Sequence, residues 1–323
     1  MDPSAFFTGT AVHLVAGKGG VGRTTLTAAL GTAAARLGLE VLLVEIEDWG
    51  GLAARFGGRA LGYEETVLAD RIRGRSLRAE DCLVEYLCGH GLGRLTGPMI
   101  DSGLVEVITR GTPGIKDILL LGKIRQLEQS RCADVILVDT PASGHALSFL
   151  RSPQGLLDAV GNGPVHDQAV AALHLLQDAA RCQVLLVTTL EETPVNETIE
   201  TAFRLEDEIG VHLGPVLVNG VLARTPRRGP DPSDPSDPSD PDRSGAVDRW
   251  IREAGIDAAL AHAVQRASAF ARRRRDAQRR QVLRLAEQLP LPRLEVAHRP
   301  GAGPGPDDLG ELAEELLDGL RAC

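Results

Sequence analysis

The sequence predicts an α/β protein, doubly wound around a mostly parallel β-sheet and carrying a helical subdomain. Three observations predict this fold class. Several short runs are continuously apolar, as in strands that are buried on both faces of a parallel sheet. Segments with a helical pattern separate these runs. A glycine-rich turn at residues 17–25 joins the first strand to a run of good helix formers.

The first predicted strand, Val12 to Ala16, leads into a glycine-rich turn with the sequence Gly17-Lys18-Gly19-Gly20-Val21-Gly22-Arg23-Thr24-Thr25. A helix is predicted from Leu26 to Leu37. This context suits a phosphate-binding loop, because glycines let backbone N–H groups surround an anion and the helix N-terminus favours the same charge. The spacing fits G-x-x-x-x-G-K-[ST], except that Arg23 stands where the pattern has lysine.

Two ligands fit this glycine pattern. A nucleoside triphosphate would use Thr24 as the hydroxyl that holds Mg²⁺ and Thr25 beside the α-phosphate. A dinucleotide would use three glycines at G-x-G-x-x-G spacing and an acidic residue about 20 positions later, where Glu45 stands. Lys18 and the threonine pair favour the triphosphate, since a phosphate-and-magnesium site uses both. The glycines alone leave the ligand open.

The second predicted strand, Val41 to Glu45, runs into an acidic loop that includes Glu47 and Asp48. Open α/β sheets bind ligands at the carboxyl ends of their strands, which is where these carboxylates lie. One interpretation is a solvated acidic loop. The other is a carboxylate that orients a water molecule or an Mg²⁺-bound water.

Residues 52–127 show a helical pattern with loops, and one short strand is predicted at 105–109. The run from Asp134 to Asp139 is an apolar strand that ends in aspartate, which is typical of a Walker B segment. Asp139 is predicted to accept a hydrogen bond from Mg²⁺-bound water or from Thr24. The turn that follows, residues 140–145, suits a sensor of the γ-phosphate.

Two further central strands are predicted at 184–188 and 216–219, and the amide of Asn219 could pair with adenine. Residues 226–242 repeat Asp-Pro-Ser and predict a disordered insertion. Arginines at 272–284 belong to the helices that follow. They form either a patch for acidic lipid or nucleic acid, or a solvated face balanced by the acidic C-terminal helix 307–318. A last strand is predicted at 294–296.

Composition narrows the class of protein. The net charge of -9 and the pI of about 5.4 argue against general nucleic-acid binding. The five cysteines are scattered without C-x-x-C spacing, so we expect reduced thiols. The sequence shows neither a signal-peptide pattern nor an apolar run long enough for a membrane span, and we therefore expect a cytoplasmic protein.

Residues 18–25 resemble the deviant Walker A motif of the ArsA-like family, the arsenite-pump and tail-anchored-protein-targeting ATPases. Residues 41–56 resemble the family's first switch, with Glu47 at the place of its water-activating aspartate. Residues 139–145 resemble its second switch with proline and alanine exchanged, and Asn219 matches its adenine-contacting asparagine. The chain is thereby identified as an ArsA-like, actinobacterial-type member with a single domain, 1–323, that contains the linker 226–242. The resemblance also favours the triphosphate over the dinucleotide.

This resemblance implies a P-loop NTPase fold and an ATP hydrolase that uses Mg²⁺ and changes shape as a dimer. Thr24 and Asp139 would hold Mg²⁺, and Glu47 would orient the attacking water. Lys18 would reach the partner's phosphates in trans. The implied nucleotide-binding residues are Gly17, Gly19, Gly20, Val21, Gly22, Arg23, Thr24, Thr25 and Asn219.

The chain departs from the family pattern at residues that matter for hydrolysis. Arg23 replaces the lysine that bridges the β- and γ-phosphates, and Glu47 replaces an aspartate. Because guanidinium and ammonium groups differ in shape, these departures predict slow hydrolysis without loss of nucleotide binding. The alternative is a non-catalytic subunit of a heterodimer that supplies Lys18 to an active partner.

The client stays open at the level of sequence. Two methionines do not make the methionine-rich groove of a tail-anchored-protein carrier, and the dispersed cysteines do not suggest a thiolate trio for arsenite.

Overall fold

The computed structural model describes residues 1–47, 50–89, 114–141, 143–222, 257–299 and 305–323, with isolated residues in the stretches 91–105 and 251–254. Asp48 of the acidic loop and the predicted linker 226–242 lie outside the described residues. The strand predicted at 105–109 also lies outside them, apart from Val105, which is helical.

The described strands form one eight-stranded sheet. In chain order they are β1 (Val12–Gly17), β2 (Val41–Ile46), β3 (Thr66–Ala69), β4 (Ile72–Leu77), β5 (Val135–Asp139), β6 (Cys182–Thr189), β7 (Val216–Val221) and β8 (Arg293–Ala297). The helices, again in chain order, are α1 (Pro3–Thr8), α2 (Arg23–Arg36), α3 (Gly51–Arg55), α4 (Ala79–Gly89), α5 (Ile115–Ser130), α6 (Ser143–Ala159), α7 (Pro164–Gln177), α8 (Glu192–Arg204), α9 (Ala258–Gln288) and α10 (Pro306–Ala322). A short π-helix, Leu205–Ile209, continues α8.

The strand order is β3-β4-β2-β5-β1-β6-β7-β8. All neighbouring pairs are parallel except β3 and β4, so the predicted mostly parallel sheet is confirmed. The chain reverses its direction of travel across the sheet around β1, between β5 and β6. In such sheets a crevice opens where the strand order reverses, beside the carboxyl ends of the strands. Gly17 of β1 and Asp139 of β5 lie at this edge.

Helices cover both faces of the sheet, which confirms the doubly wound architecture. Helices α1, α2 and α10 pack on one face, against residues such as Val15 and Leu43. Helices α5 to α8 pack on the other face, against residues such as Leu14 and Val138. The central strands are apolar on both sides because both sides are covered.

The prediction of helices and loops throughout 52–127 is wrong for residues 66–77, which form β3 and β4. β3 is an edge strand of only four residues, and β4 carries Arg73 and Arg75, so no long apolar run marks either strand. Arg73 pairs with Glu65, and Arg75 lies 3.9 Å from the same carboxylate. Ion pairing lets the charged strand β4 pack beside β2.

Within the described part of the chain, no helix combines the length and apolarity needed to cross a bilayer.

Candidate functional site: the glycine-rich loop at the sheet's carboxyl edge

The loop between β1 and α2 depends on two of its glycines for its backbone path. Gly20 and Gly22 have φ angles of 88° and 92°, in the left-handed region that favours glycine. At Gly17 the constraint is spatial, because a Cβ there would lie 2.6 Å from the carbonyl oxygen of Val187 on the neighbouring strand β6. Helix α2 then begins at Arg23, so the unpaired N–H groups of its first turn adjoin the loop.

Thr24 and Asp139 meet beside this loop, as the sequence predicts. The Thr24 hydroxyl donates to Oδ2 of Asp139 at 2.6 Å, and Asp139 is only 3% exposed. Strand β5 positions the carboxylate, because Asp139 lies in register with Val15 of β1. A hydroxyl and a carboxylate are hard oxygen donors of the kind that Mg²⁺ prefers, so the residues present fit this ion.

Arg23 turns toward the same aspartate. Its Nε donates to Oδ1 of Asp139 at 2.5 Å, and its Nη1 lies 3.4 Å from the carbonyl oxygen of Gly17. The Arg23 side chain is 18% exposed, so this ion pair is largely removed from solvent. The two oxygens of Asp139 are therefore divided between Arg23 and Thr24.

Lys18 lies on the solvent side of the loop and pairs with Glu197 of α8 at 2.6 Å. About a third of each side chain is exposed, so solvent screens the attraction and the pair is weak. The lysine that the family resemblance places in trans thus contacts a carboxylate of its own chain.

Glu47 follows β2 in a left-handed conformation, with a φ angle of 64°. Its N–H donates to the carbonyl oxygen of Leu77 at 3.0 Å, which fixes the turn against β4. Its carboxylate forms an ion pair with Lys116 of α5. Lys116 stands 69 residues further along the chain, and nothing in the sequence links the two.

Glu45 is a neighbour of the site that we did not include among its predicted residues. It is 3% exposed, and its Oε1 accepts from the N–H groups of Gly51 and Leu52 at 3.0 and 3.2 Å. A Cβ built on Gly51 would lie 3.3 Å from Cγ2 of Thr24 and 3.5 Å from Oε1 of Glu45. Glu45 therefore holds the start of α3 beside Thr24. Its signal in the sequence was an acid inside an otherwise apolar strand.

Asn219 supports the loop from β7. Its Nδ2 donates to the carbonyl oxygen of Val21 at 2.8 Å. A Cβ on Gly22 would lie 2.2 Å from the same nitrogen, so glycine is required there for a second reason. One of the two amide hydrogens of Asn219 is thus used within the protein. The predicted contact between Asn219 and adenine would have to use the other amide hydrogen and the amide oxygen.

Cysteine and histidine do not form a further centre in the described part of the chain. All five cysteines are free, and the described residues include no group of three metal-ligating side chains. Burial raises the pKa of the Cys182 thiol, and likewise of the Cys82 thiol, to about 12, so both stay protonated. The reduced thiols that we predicted agree with this arrangement.

Comparison with known proteins is consistent with this geometry. Residues 10–162 match the model of the anion-transporting ATPase family, ArsA type. This match covers just under half of the chain, and we call it the ArsA-type region. The ArsA-type region includes the loop, Glu47, Lys116 and Asp139, whereas Glu197 and Asn219 lie beyond it.

Proteins similar to this chain include bacterial and fungal ATPases. ATPase BagA of Mycobacterium tuberculosis is 37% identical over 223 residues, which cover 65% of this chain and 65% of that protein. ATPase get3 of Neurospora crassa is 27% identical over 149 residues, covering 45% of this chain and 44% of the fungal protein. The chain thus spans less than two thirds of the length of either relative.

Proposed function

We propose that the chain binds MgATP at the loop 17–25 and hydrolyses it as a dimer. The observation that carries this proposal is the hydrogen bond between Thr24 and Asp139, at the mouth of the glycine-rich loop. It brings two hard oxygen ligands from separate elements, α2 and β5, to the point where a phosphate-bound Mg²⁺ would lie. The family match of residues 10–162 supports ATP as the nucleotide.

Each residue of the site has a proposed role that follows from its position. The N–H groups of the loop and of the first turn of α2 would receive the phosphates, because they point at an anion without losing hydrogen bonds of their own. Thr24 and Asp139 would hold Mg²⁺, which when bound neutralises charge on the phosphate oxygens. Asn219 keeps the loop in shape through Val21. Glu47 would orient the attacking water once its carboxylate separates from Lys116.

The dimer is proposed because Lys18 lies at the protein surface, on the side of the loop that faces solvent. A partner's phosphates could be reached from there if Lys18 leaves Glu197. The family resemblance of residues 18–25 supports this role.

A second candidate function is that of a non-catalytic subunit in a heterodimer. The observation that favours it is the ion pair between Arg23 and Asp139. A guanidinium held by the magnesium-binding carboxylate is not available to the β- and γ-phosphates, and its release costs the energy of a largely buried ion pair. Such a subunit would bind nucleotide and supply Lys18 to a partner without turning over itself.

Nucleotide binding tests the site directly. Calorimetric titration of the purified chain with ATP, with and without Mg²⁺, should show tighter binding when Mg²⁺ is present. Thr24→Ala should weaken MgATP binding by roughly tenfold or more, because it removes a ligand to the metal ion. Thr32→Ala is the matched control, since the Thr32 hydroxyl donates to the carbonyl oxygen of Ala28 in the preceding turn and bonds no other residue that the structure describes. The proposal fails if the wild-type chain does not bind MgATP, or if Thr24→Ala binds it as well as Thr32→Ala does.

A further inference from the structure

Helix α9 concentrates positive charge in an acidic protein. Its 31 residues include eight arginines and two carboxylates, a net charge of +6, whereas the whole chain has a net charge of -9. Charge of one sign gathered on one element indicates a partner of the opposite sign.

Part of this charge lies along one side of the helix. Residues at spacings of four and three, which share a helix face, form what we call the arginine stripe: Arg266, Phe270, Arg273, Ala277, Arg280 and Arg284. It is about 27 Å long, at 1.5 Å per residue. Arg266, Arg273 and Arg280 are exposed, and the aromatic ring of Phe270 is 58% exposed among them. The stripe contains no acidic residue.

Among the described residues, the acidic C-terminal helix forms no ion pair with these arginines, so direct contacts do not supply the charge balance of the solvated-face interpretation. The carboxylates of α10 pair elsewhere. Glu314 contacts Arg36 at 2.8 Å, and Glu315 contacts Arg299 at 2.8 Å. Among the residues that the structure describes, no carboxylate lies within 4.0 Å of the four stripe guanidinium groups.

The other side of α9 fixes the helix to the protein. Leu285 is fully buried in the core, and the side chain of Gln278 bonds both the carbonyl oxygen of Gly220 and the N–H of Leu222, at 3.0 and 2.9 Å. The arginine stripe therefore lies on a helix whose C-terminal part is anchored to the protein, with Arg266, Arg273 and Arg280 at the surface.

We propose that the arginine stripe docks α9 on the surface of an anionic lipid bilayer, with Phe270 entering the interfacial region. Guanidinium groups complement lipid phosphates, and an aromatic ring in the centre of a basic face gains by leaving water at the headgroup level. A nucleic-acid duplex would match the charge equally well, but its base pairs would have to unstack before Phe270 could leave water. The exposed ring is the observation that favours lipid.

Vesicle flotation tests this proposal with the full chain. We expect binding to vesicles of phosphatidylcholine mixed with phosphatidylglycerol, no binding to pure phosphatidylcholine, and release by salt. The double variant Arg273→Gln/Arg280→Gln should lower the partition coefficient about 25-fold, at roughly fivefold for each arginine. Arg273→Lys/Arg280→Lys should retain binding, because it keeps both charges.

Matched variants distinguish the contribution of the stripe to vesicle binding from the effects of net charge and of exposed aromatic rings in general. Arg59→Gln/Arg321→Gln removes two exposed arginines that lie outside α9 and should leave binding unchanged. Phe270→Ala should weaken binding, whereas Phe203→Ala, which removes a ring 48% exposed on α8, should not.

Three results would overturn the proposal. The first is no preference for anionic vesicles by the wild-type chain. The second is an equal loss of binding in the control pair Arg59→Gln/Arg321→Gln. The third is arginine-dependent binding to a DNA duplex without binding to vesicles, which would assign the stripe to nucleic acid instead. Circular dichroism of each variant confirms that it is folded before it is compared.

Discussion

Three charged side chains that the sequence places in the nucleotide site each contact an opposite charge of the same chain. Lys18 contacts Glu197, Arg23 contacts Asp139, and Glu47 contacts Lys116. Nucleotide would therefore compete with existing ion pairs. The largely buried pair of Arg23 should be the most costly to separate, and the exposed pair of Lys18 the least.

The pair between Lys18 and Glu197 gives a residue-scale prediction. Glu197→Gln should tighten MgATP binding by up to about fivefold, because an exposed pair is worth at most about 1 kcal/mol. Titration calorimetry at low and high salt measures the change, which should shrink at high salt.

Glu200→Gln is the control for this prediction. Glu200 lies on the same helix, α8, lines the same cleft as Lys18 and is exposed. An equal gain in the Glu200 variant would show that general charge, and not release of Lys18, accounts for the result.

These pairings could not be predicted from the sequence, because each joins residues far apart in the chain. The predicted meeting of Thr24 with Asp139 rested on a different kind of signal. Both residues belong to local motifs whose strands must end at the same edge of a parallel sheet. The position of each site residue in the fold could therefore be predicted, whereas the ion pair that its side chain forms could not.

At the scale of elements, the backbone geometry of the loop between β1 and α2 determines which substitutions the loop tolerates. We expect Gly22→Ala to unfold more easily and to bind MgATP poorly. At a φ of 92° a residue with a side chain loses about 1–2 kcal/mol of folding free energy relative to glycine. The Cβ of the new alanine would also lie 2.2 Å from the amide nitrogen of Asn219.

Gly19→Ala is the matched control in the same loop. A Cβ on Gly19 meets no atom within 4 Å. Urea unfolding should show Gly19→Ala close to wild type in stability, whereas Gly22→Ala should be less stable. Equal stability of the two variants would contradict the proposed role of Asn219 and of the left-handed turn.

Strand β1 also carries a buried histidine that makes stability depend on pH. Burial lowers the pKa of His13 from 6.5 to about 4, against smaller opposing effects of nearby backbone groups. Between these values the unfolded chain binds a proton that the folded chain does not, so stability falls as the pH drops through this window. At pH 5 the loss attributable to His13 should be about 2 kcal/mol.

Urea unfolding at neutral pH and at pH 5 measures this loss. His13→Gln should be less stable than wild type at neutral pH, because it disturbs the packing of His13 against Phe6 and Phe7. Its additional loss at pH 5 should nevertheless be smaller by about 2 kcal/mol. An unchanged pH dependence in the variant would assign the effect to other groups.

The elements themselves were predictable to different degrees. Strands β1, β2, β5, β6 and β7 were found because continuous apolar runs mark strands that are buried on both faces. The sequence does not mark β3, which is a four-residue edge strand, or β4, whose two arginines interrupt the apolar pattern and lie beside Glu65. Apolar periodicity does not detect strands whose charges are compensated by ion pairs.

At the scale of the whole molecule, the proposed nucleotide site and the arginine stripe are two separate surfaces of the protein. The carboxyl ends of its central strands carry the proposed nucleotide site, and α9, held to β7 by Gln278, carries the arginine stripe. The fold class was predictable from strand and helix patterns. The exposure of the stripe was not, because it depends on how α9 packs against the rest of the protein.

Steady-state hydrolysis of MgATP tests whether the chain hydrolyses ATP at the loop 17–25. The purified chain is measured beside Lys18→Ala and Arg23→Lys. We predict slow turnover by wild type, none by Lys18→Ala, and faster turnover by Arg23→Lys, because an ammonium at residue 23 restores the usual contact with the β- and γ-phosphates. A wild-type chain that binds MgATP without hydrolysing it, with turnover appearing only in Arg23→Lys, would contradict the proposed hydrolysis and identify a silent subunit that awaits an active partner.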